Sequence, residues 1–430
     1  MCTSLTLPSS TLETMNKLTK WLSETPKFTS FRINRLKEFD IKHLEKYLET
    51  QSHELGVNHI PNIYLLKEDC LIVEKWPENV CLERGNSEVI VDVSCATAVL
   101  RGAHVFAPGV LALPPSCKLN ERVDVYGDLE RKCKRGLKVH YEGRKIYVGT
   151  GYLKMQRYHL FDSGVQPSGI AVHMLLPASR LPVINESIYP KGHILLQNLP
   201  SIIVGWVLNA KPDEHILDMC AAPGNKTTHL AETSKNQAPI VALDKTKQKT
   251  DKISKNLEAH GITSVKVFPY NSENCCTDNS EGEKNEPPYP LNTFDKVLLD
   301  APCSGLGQRP LLANTITPKM LLSYKHIQRK LFDAAVKVLK VNGILVYSTC
   351  SITQEENERM IAWVLNKFPN MQLVPAEPLL GGPGLANIGL TDEQRIMVQR
   401  FGPEEDPLRQ VDDIYKNSIG FFIAKLIKIK

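Results

Sequence analysis

From about residue 194 onward the chain alternates short apolar runs with helix-like segments, and this alternation limits the possible folds more than any other feature. "EHILDM", "PIVALD", "SVKVF", "FDKVLLD" and "GILVYS" read as five strands. Between them, "GNKTTHLAETS" opens a helix after a glycine turn, and "TDKISKNLEAHG" is a helix closed by glycine. "HIQRKLFDAAVKVLK" places Ile327, Leu331, Ala335, Val338 and Leu339 on one helical face. Strands that alternate with helices predict a parallel α/β sheet. Thr353 with Glu356 predicts a capping box for a further helix, and "IGFFIAKLIKIK" predicts a last strand. The polar, acidic stretch from Asn271 to Asn292 reads as an exposed loop that includes Cys275 and Cys276.

In open α/β sheets, ligands sit beyond the carboxyl ends of the strands. The residues there are "DMCAAPGNK" (Asp218, Met219, Cys220, Ala221, Ala222, Pro223, Gly224, Asn225, Lys226), Asp244 and "DAPCSG" from Asp300. Asp244 follows Asp218 by 26 residues, which suits a carboxylate after the second strand holding a ribose diol. The pyrophosphate-binding G-x-G-x-x-G is missing, and Asp218 would repel a phosphate. Both facts favour a nucleoside ligand without phosphate, preferably cationic, and S-adenosylmethionine is such a ligand.

Two of these strands run into a turn holding a thiol: Asp300 is followed by Cys303, and "GILVYSTCS" carries Cys350. A lone cysteine is most often a buried structural thiol. Two, each after a strand-like run and one beside a carboxylate, point to thiol chemistry. A thiol–disulfide enzyme would favour a local C-x-x-C pair, whereas these cysteines stand 47 residues apart and no C-x-x-C occurs among the 11 cysteines. Cys70, Cys81, Cys95, Cys117 and Cys133 lack zinc spacing, so no metal site is expected.

The first half carries less chemistry. Residues 1–87 mix helix-like "IKHLEKYLET" with strand-like "NIYLL" and "DCLIVEKW". Residues 88–181 have the short apolar runs and glycine turns of a β-rich domain, and 182–430 form the α/β unit. The net charge of +5 is mild but concentrated, since Lys118 to Arg157 holds 11 Lys/Arg against 5 Asp/Glu. A solvated face is the usual meaning of such a run, and a phosphate-binding surface is the alternative. Neither a secretory signal pattern nor an apolar run of about 18 residues occurs. A cytoplasmic, monomeric protein with reduced thiols and no membrane contact is expected.

The motifs "LDMCAAPGNKTTHLA", "VALD", "LLDAPCSGLG", "QRKLFDAAVKVLK" and "GILVYSTCSITQEENE" resemble, in order, those of the NOL/NOP/Sun family of RNA cytosine-C5 methyltransferases. "FTSFRINRL" (Phe28 to Leu36) resembles the family's N-terminal RNA-binding segment, and "AVLRGAHVFAPGV" (Ala98 to Val110) resembles a PUA domain, which binds structured RNA. The resemblance implies a Rossmann-like S-adenosylmethionine-dependent methyltransferase domain, an inserted β-rich PUA domain and an N-terminal α+β RNA-binding segment, this last completed by residues just after the insertion. That order of parts resembles the family branch that methylates tRNA near the 3′ acceptor end. It implies a tRNA partner, contacted at the acceptor stem and the CCA end. By carry-over, Asp218 and Cys220 to Lys226 line the methyl donor, Asp244 holds its ribose, Asn271 sits near adenine, and Asp300 lies between donor and target base. Two positions depart from the family pattern: Asn225 replaces a second glycine, and Asn271 replaces an aspartate. Asn tolerates left-handed geometry, so Asn225 is expected to carry it.

The implied chemistry accounts for the thiols. Cytosine C5 is a poor nucleophile until a thiolate adds at C6, which makes C5 enamine-like. The resemblance assigns Cys350 as nucleophile, Cys303 as the release residue and Asp300 as the group that stabilises the base. DNA cytosine methyltransferases use the Pro-Cys thiol instead, so bare chemistry leaves the order open. The target must be unpaired or flipped to reach a buried thiol. Arg101, Lys132, Lys134, Arg135 and Lys138 are the candidate phosphate contacts. The rivals are an RNA-binding protein with an impaired methyltransferase domain, the same chemistry on another RNA, and a nicotinamide oxidoreductase.

Overall fold

A computed structural model describes residues 9–164, 166–277 and 286–430. The α/β unit is built on an eight-stranded sheet. Its strands are β1 (Ile216–Asp218), β2 (Ile240–Asp244), β3 (Val265–Pro269), β4 (Phe294–Asp300), β5 (Leu339–Thr349), β6 (Met371–Val374), β7 (Gln399–Phe401) and β8 (Phe421–Lys428). The order is β3-β2-β1-β4-β5-β8-β6, with β7 also pairing β8. Strands β1 to β5 are mutually parallel, while β6, β7 and β5 all run antiparallel to β8. The order reverses between β1 and β4, so the turns after those two strands open onto one crevice.

Strands β1, β2, β4 and β5 read as largely apolar runs because both faces are covered, while β3, at the sheet edge, is partly exposed. Successive residues alternate between two cores. Ile216, Leu298, Val346 and Ile423 pack with α1 (Leu199–Leu208) and α2 (Asn225–Thr233). Leu217, Val297, Leu299, Leu345 and Phe422 pack with α4 (Pro318–Val338) and α5 (Glu358–Lys367) on the other face. Helix α1 buries every residue except Ser201, so it is apolar all round rather than amphipathic. Helix α3 (Lys247–His260) ends on Gly261 in the left-handed conformation, as its glycine predicts.

Three local expectations are corrected. Leu339 is the first residue of β5 and not the end of α4. Helix α5 starts at Glu358 behind Asn357, so Thr353 and Glu356 do not cap it; Glu356 is turned inward and fully buried. The stretch from Asn271 to Asn292 is not a plain exposed loop. Cys275 and Tyr289 are fully buried in the α4-side core, and short parallel strands Cys276–Thr277 and Tyr289–Pro290 pair beside them. Residues 278–285 of that stretch lie outside the described residues.

The N-terminal part forms a four-stranded antiparallel sheet ordered Ile194–Leu196, Phe28–Ile33, Cys70–Glu74, Ile63–Lys67. Its first strand comes from beyond residue 190, so the chain leaves this sheet, builds another unit and returns to complete it. That other unit is a six-stranded sheet ordered Val105–Phe106, Ile170–Pro177, Lys145–Leu153, Arg122–Asp128, Ser87–Val91, Val110–Ala112. Its core is valine-rich, with Val89, Val91, Val99, Val123, Val125, Val148 and Val172 all inaccessible to water. A short helix, Val93–Leu100, is capped by Asp92, whose side chain accepts from the Cys95 N–H. Gly102 follows it at φ +90°, where a Cβ would stand 2.5 Å from the Pro182 carbonyl oxygen. Among the described residues, no helix is long and apolar enough to cross a membrane.

Candidate active site

The turn after β1 passes through Gly224, the N-cap of α2, at φ +106°. A Cβ there would meet Ile253 of α3 at 3.3 Å. Gly224 therefore carries the left-handed geometry, and Asn225 begins the helix with ordinary backbone; the expectation for Asn225 is corrected. The turn is held from two sides. Asn256 of α3 donates to the Pro223 carbonyl at 2.8 Å. Arg32, wholly buried in the N-terminal sheet, reaches the Asn225 carbonyl, the Thr228 hydroxyl and the Glu232 carboxylate, the last at 2.9 Å. The strand containing "FTSFRINRL" thus braces the cofactor-side helix through a buried ion pair.

Asp218 ends β1 and is 1% exposed. One of its oxygens accepts from Thr227 at 2.7 Å, and the other has no protein partner among the described residues. Burial raises its pKa to about 7, opposed by the Thr227 hydrogen bond and reinforced by the Asp300 carboxylate. Asp244, at the end of β2, accepts from the Ala222 N–H at 3.1 Å and pairs with Lys249 at 3.1 Å. Asn271 follows β3, and its side chain accepts from the Glu273 N–H, starting a short 3-10 turn. Cys220 lies between Asp218, Asp244 and Asp300; burial and those carboxylates push its thiol pKa far up, so it stays protonated.

Strands β4 and β5 are in register, with Asp300 opposite Ser348. Asp300 accepts from Ser348 Oγ at 2.6 Å and from Lys226 Nζ at 2.7 Å. Lys226, expected to line the donor, therefore also fixes Asp300. The two turns beyond these strands bring the sulfurs of Cys303 and Cys350 to 3.4 Å. The pair is electrically unequal. Cys350 is stabilised as thiolate by the neighbouring Cys303 S–H, with further help from Gln308 and the Lys226 charge; these outweigh burial and the Asp300 carboxylate, and its pKa falls below the ordinary thiol value. Cys303 moves the opposite way, because the Cys350 sulfur, burial and the Glu356 carboxylate all disfavour its charge. Of the two sulfurs, Cys350 is the one disposed to ionise.

The turns are tied together by main chain as well: the Gly307 N–H donates to the Cys350 carbonyl at 2.9 Å and the Gly420 N–H to the Gly307 carbonyl at 2.8 Å. Glu356, Gln308 and Arg309 give no signal as site residues in the sequence alone. Glu356 falls into a capping pattern, and the other two stand in a stretch without periodicity. Arg309 is 2% exposed; it donates to the Trp21, Asn417 and Ser418 carbonyls and lies over the Trp21 ring at 4.0 Å.

The candidate RNA contacts separate into two kinds. Arg101 donates to the Arg309 carbonyl at 2.7 Å, joining the six-stranded unit to the segment behind Cys303. Arg135 donates to the Pro108, Val110 and Leu160 carbonyls. The Arg135 guanidinium is occupied within the protein, whereas Arg101 commits Nε to its bond. Lys132, Lys134 and Lys138 are exposed, and Lys132 pairs only loosely with Glu130 at 3.2 Å. A cavity of about 1080 Å³ lies elsewhere, lined by residues including Lys67, Asp69, Trp206 and His229, and contains none of the strand-end residues. Shape and chemistry disagree there, and the thiols and carboxylates at the strand ends define the site.

An unpartnered buried carboxylate oxygen at Asp218, a close-packed left-handed glycine at Gly224 and a second carboxylate at Asp244 make a crevice for a cationic nucleoside. A thiol pair faces it across Asp300. This is the arrangement of a methyltransferase that works on a ring carbon. Comparison with known proteins agrees. The family model described as 16S rRNA methyltransferase RsmB/F matches residues 205–427. The human tRNA (cytosine(72)-C(5))-methyltransferase NSUN6 is 40% identical, covering 96% of this chain and 91% of that protein. The tRNA (cytosine(72)-C(5))-methyltransferase of Pyrococcus horikoshii is 31% identical over 97% of this chain and 94% of its own. The crystal structure of NSun6 from Pyrococcus horikoshii with SFG superposes with a TM-score of 0.71 at 30% identity, covering 97% of this chain and 95% of that one. The chain belongs to the NOL/NOP/Sun family of RNA cytosine-C5 methyltransferases and resembles NSUN6. Its methyl donor is S-adenosylmethionine, which the residues of the crevice fit.

Proposed function

We propose that the protein methylates C5 of a cytosine near the 3′ acceptor end of tRNA, through a covalent bond between Cys350 and cytosine C6. The observation that carries this reading is the 3.4 Å sulfur pair beside Asp300 at the ends of two in-register strands. S-adenosylmethionine supplies an electrophilic methyl group. Cys220 to Lys226 would line it, Asp218 would face its cationic part, Asp244 would take its ribose and Asn271 its adenine.

The protein's own groups do the rest. The Cys350 thiolate adds to C6, and the electron pair of the C5–C6 double bond becomes available at C5. Density also moves toward N3 and O2, where the Asp300 carboxyl, fixed by Lys226 and Ser348, stabilises the intermediate. Once C5 is methylated, its proton passes to solvent, the C5–C6 double bond reforms and Cys350 departs as thiolate. Cys303, held protonated nearby, assists that release by hydrogen-bonding the departing Cys350 sulfur.

On the RNA side, we read the six-stranded unit, residues 88–181, as a PUA domain that binds the single-stranded CCA end, and residues 1–87 as the N-terminal RNA-binding segment. Lys132, Lys134 and Lys138 are the phosphate contacts this reading keeps. The human and archaeal relatives, both named for cytosine 72 of tRNA, support an acceptor-end target. The test is transfer of labelled methyl from S-adenosylmethionine to unmodified tRNA transcripts with and without the CCA tail. Transfer to cytosine C5 that requires the tail is the expected result. No transfer to any tRNA, with donor binding intact, would point to another RNA; no donor binding would point to an impaired enzyme.

A further inference from the structure

Glu356 is fully buried, yet five donors converge on its carboxylate. The Ser304 N–H donates at 2.8 Å and the Ser304 hydroxyl at 2.6 Å. The Ser351 hydroxyl donates at 2.5 Å, that of Thr353 at 2.7 Å and the Gln328 amide at 3.4 Å. Ser304 follows Cys303 and Ser351 follows Cys350, so one side chain grips both thiol-bearing turns next to their sulfurs. The two hydroxyls also touch each other at 3.1 Å. These five donors are all neutral. A carboxylate buried among neutral donors is costly unless every lone pair is used, and a fully used one is rigid.

We propose that Glu356 is a positioning residue that holds the two thiols in contact and, through its charge, biases ionisation toward Cys350. The clamp holds the cysteine turns at a fixed separation, and the charge disfavours a second anion at Cys303. Negative charge is left to Cys350, which has the Cys303 S–H, Gln308 and Lys226 on its side against burial and the Asp300 carboxylate. The Cys350 sulfur and burial are the leading causes that disfavour charge on Cys303, and the Glu356 carboxylate adds to them in the direction this geometry requires. The inference deepens the thiol mechanism above and rests on it for its catalytic meaning. The ordering of the two thiols can be measured without any methyl transfer.

The experiment compares wild type, Glu356→Gln and a Ser304→Ala/Ser351→Ala double variant. Each thiol's alkylation by iodoacetamide is followed across pH 6 to 9 by mapping the labelled peptides. Donor binding, melting temperature and single-turnover methylation of tRNA are measured alongside. In wild type, Cys350 should label about tenfold faster than Cys303 near neutral pH, because the thiolate is the reactive form. In Glu356→Gln that preference should fall several-fold toward parity. Turnover should drop about 10- to 100-fold with KM for tRNA and donor affinity near wild type, since positioning acts on the chemical step. The double serine variant keeps the charge, so it should retain most of the labelling preference while losing turnover. An unchanged preference in Glu356→Gln overturns the proposal. So does a loss of activity that only tracks the fraction unfolded. If Glu356→Gln does not fold, a double serine variant that loses the labelling preference outright overturns the charge argument. If wild type labels as expected but transfers no methyl to any RNA, the thiol ordering stands and the proposed function fails.

Discussion

The strand-end site and the six-stranded unit both bury acids, but Asp218 in the one and Asp128 in the other are shifted in opposite directions. In the site, Asp218 and Glu356 sit in the protein interior, held by hydroxyls and amide groups. In the six-stranded unit, buried Asp128 accepts from the Glu130, Arg131 and Cys133 N–H groups and the Tyr141 hydroxyl, and its pKa is lowered, while a base, His104, is buried in its neutral form. His104 is 7% exposed, stacks on His173 at 4.3 Å between ring centroids and accepts the Met174 N–H on Nδ1. Burial and His173 lower its pKa to about 4. A buried carboxylate met by a single hydroxyl is pushed toward its neutral form, whereas one met by several N–H donors is held charged.

The sharpest break of the site would be at the thiols. Cys350→Ala should reduce methyl transfer to background and form no covalent RNA adduct, while Cys303→Ala should trap an adduct visible as a denaturation-resistant band. The reverse pattern would exchange their roles. Next in size, Asp300→Asn should lower single-turnover methylation by about 10²- to 10⁴-fold with donor affinity changed far less.

The contrast in buried groups predicts opposite pH responses. Asp218 has a folded pKa near 7 against 3.8 for the free side chain, so its contribution is complete below about pH 4 and is lost as pH rises toward 7. Asp218→Asn should abolish that loss in denaturant midpoints of the donor-free protein. His104 has a folded value near 4 against 6.5, so its contribution is complete above about pH 6.5 and is lost as pH falls toward 4. His104→Gln should flatten that acid limb. Equal slopes in wild type and variant would refute the assignment in either case.

The smallest effects separate the basic residues. Lys132→Ala, Lys134→Ala and Lys138→Ala together should weaken tRNA binding and reduce its salt slope by roughly 0.7–0.9 for each phosphate that is no longer neutralised. Arg135→Ala should instead cost about 1 kcal/mol of stability, because the carbonyls it serves are left without their donor, and leave the salt slope unchanged. A larger salt effect from Arg135 than from the lysines would reverse the division.

The α/β sheet was legible because both its faces are buried, which makes β1, β2, β4 and β5 continuous apolar runs with helices between them. Asp218, Asp244, Asp300, Cys303 and Cys350 were legible because they end those runs. What escaped was decided by partners distant in the chain. Glu356 sits three residues after Thr353 and so imitates a helix cap, but its principal partners are Ser304 and Ser351. Cys275 stands in a polar stretch and is buried in the same core as Tyr289 and Phe294, which come later in the chain. Arg135 belongs to a basic run and Arg101 stands before it, and no local pattern distinguishes an arginine that donates to its own fold's carbonyls from one left for a phosphate.

The return of the chain to the N-terminal sheet has a consequence for biosynthesis. Phe28–Ile33 emerges from the ribosome early, but its neighbour Ile194–Leu196 and the Glu232 that balances Arg32 are made some 160 to 200 residues later. Until then the buried arginine has no counter-ion and the sheet lacks an edge strand. A segment made well before its partners is therefore among the last to settle. A nascent chain halted near residue 190 should display an unfinished N-terminal sheet to chaperones, although the six-stranded unit between its halves is already complete.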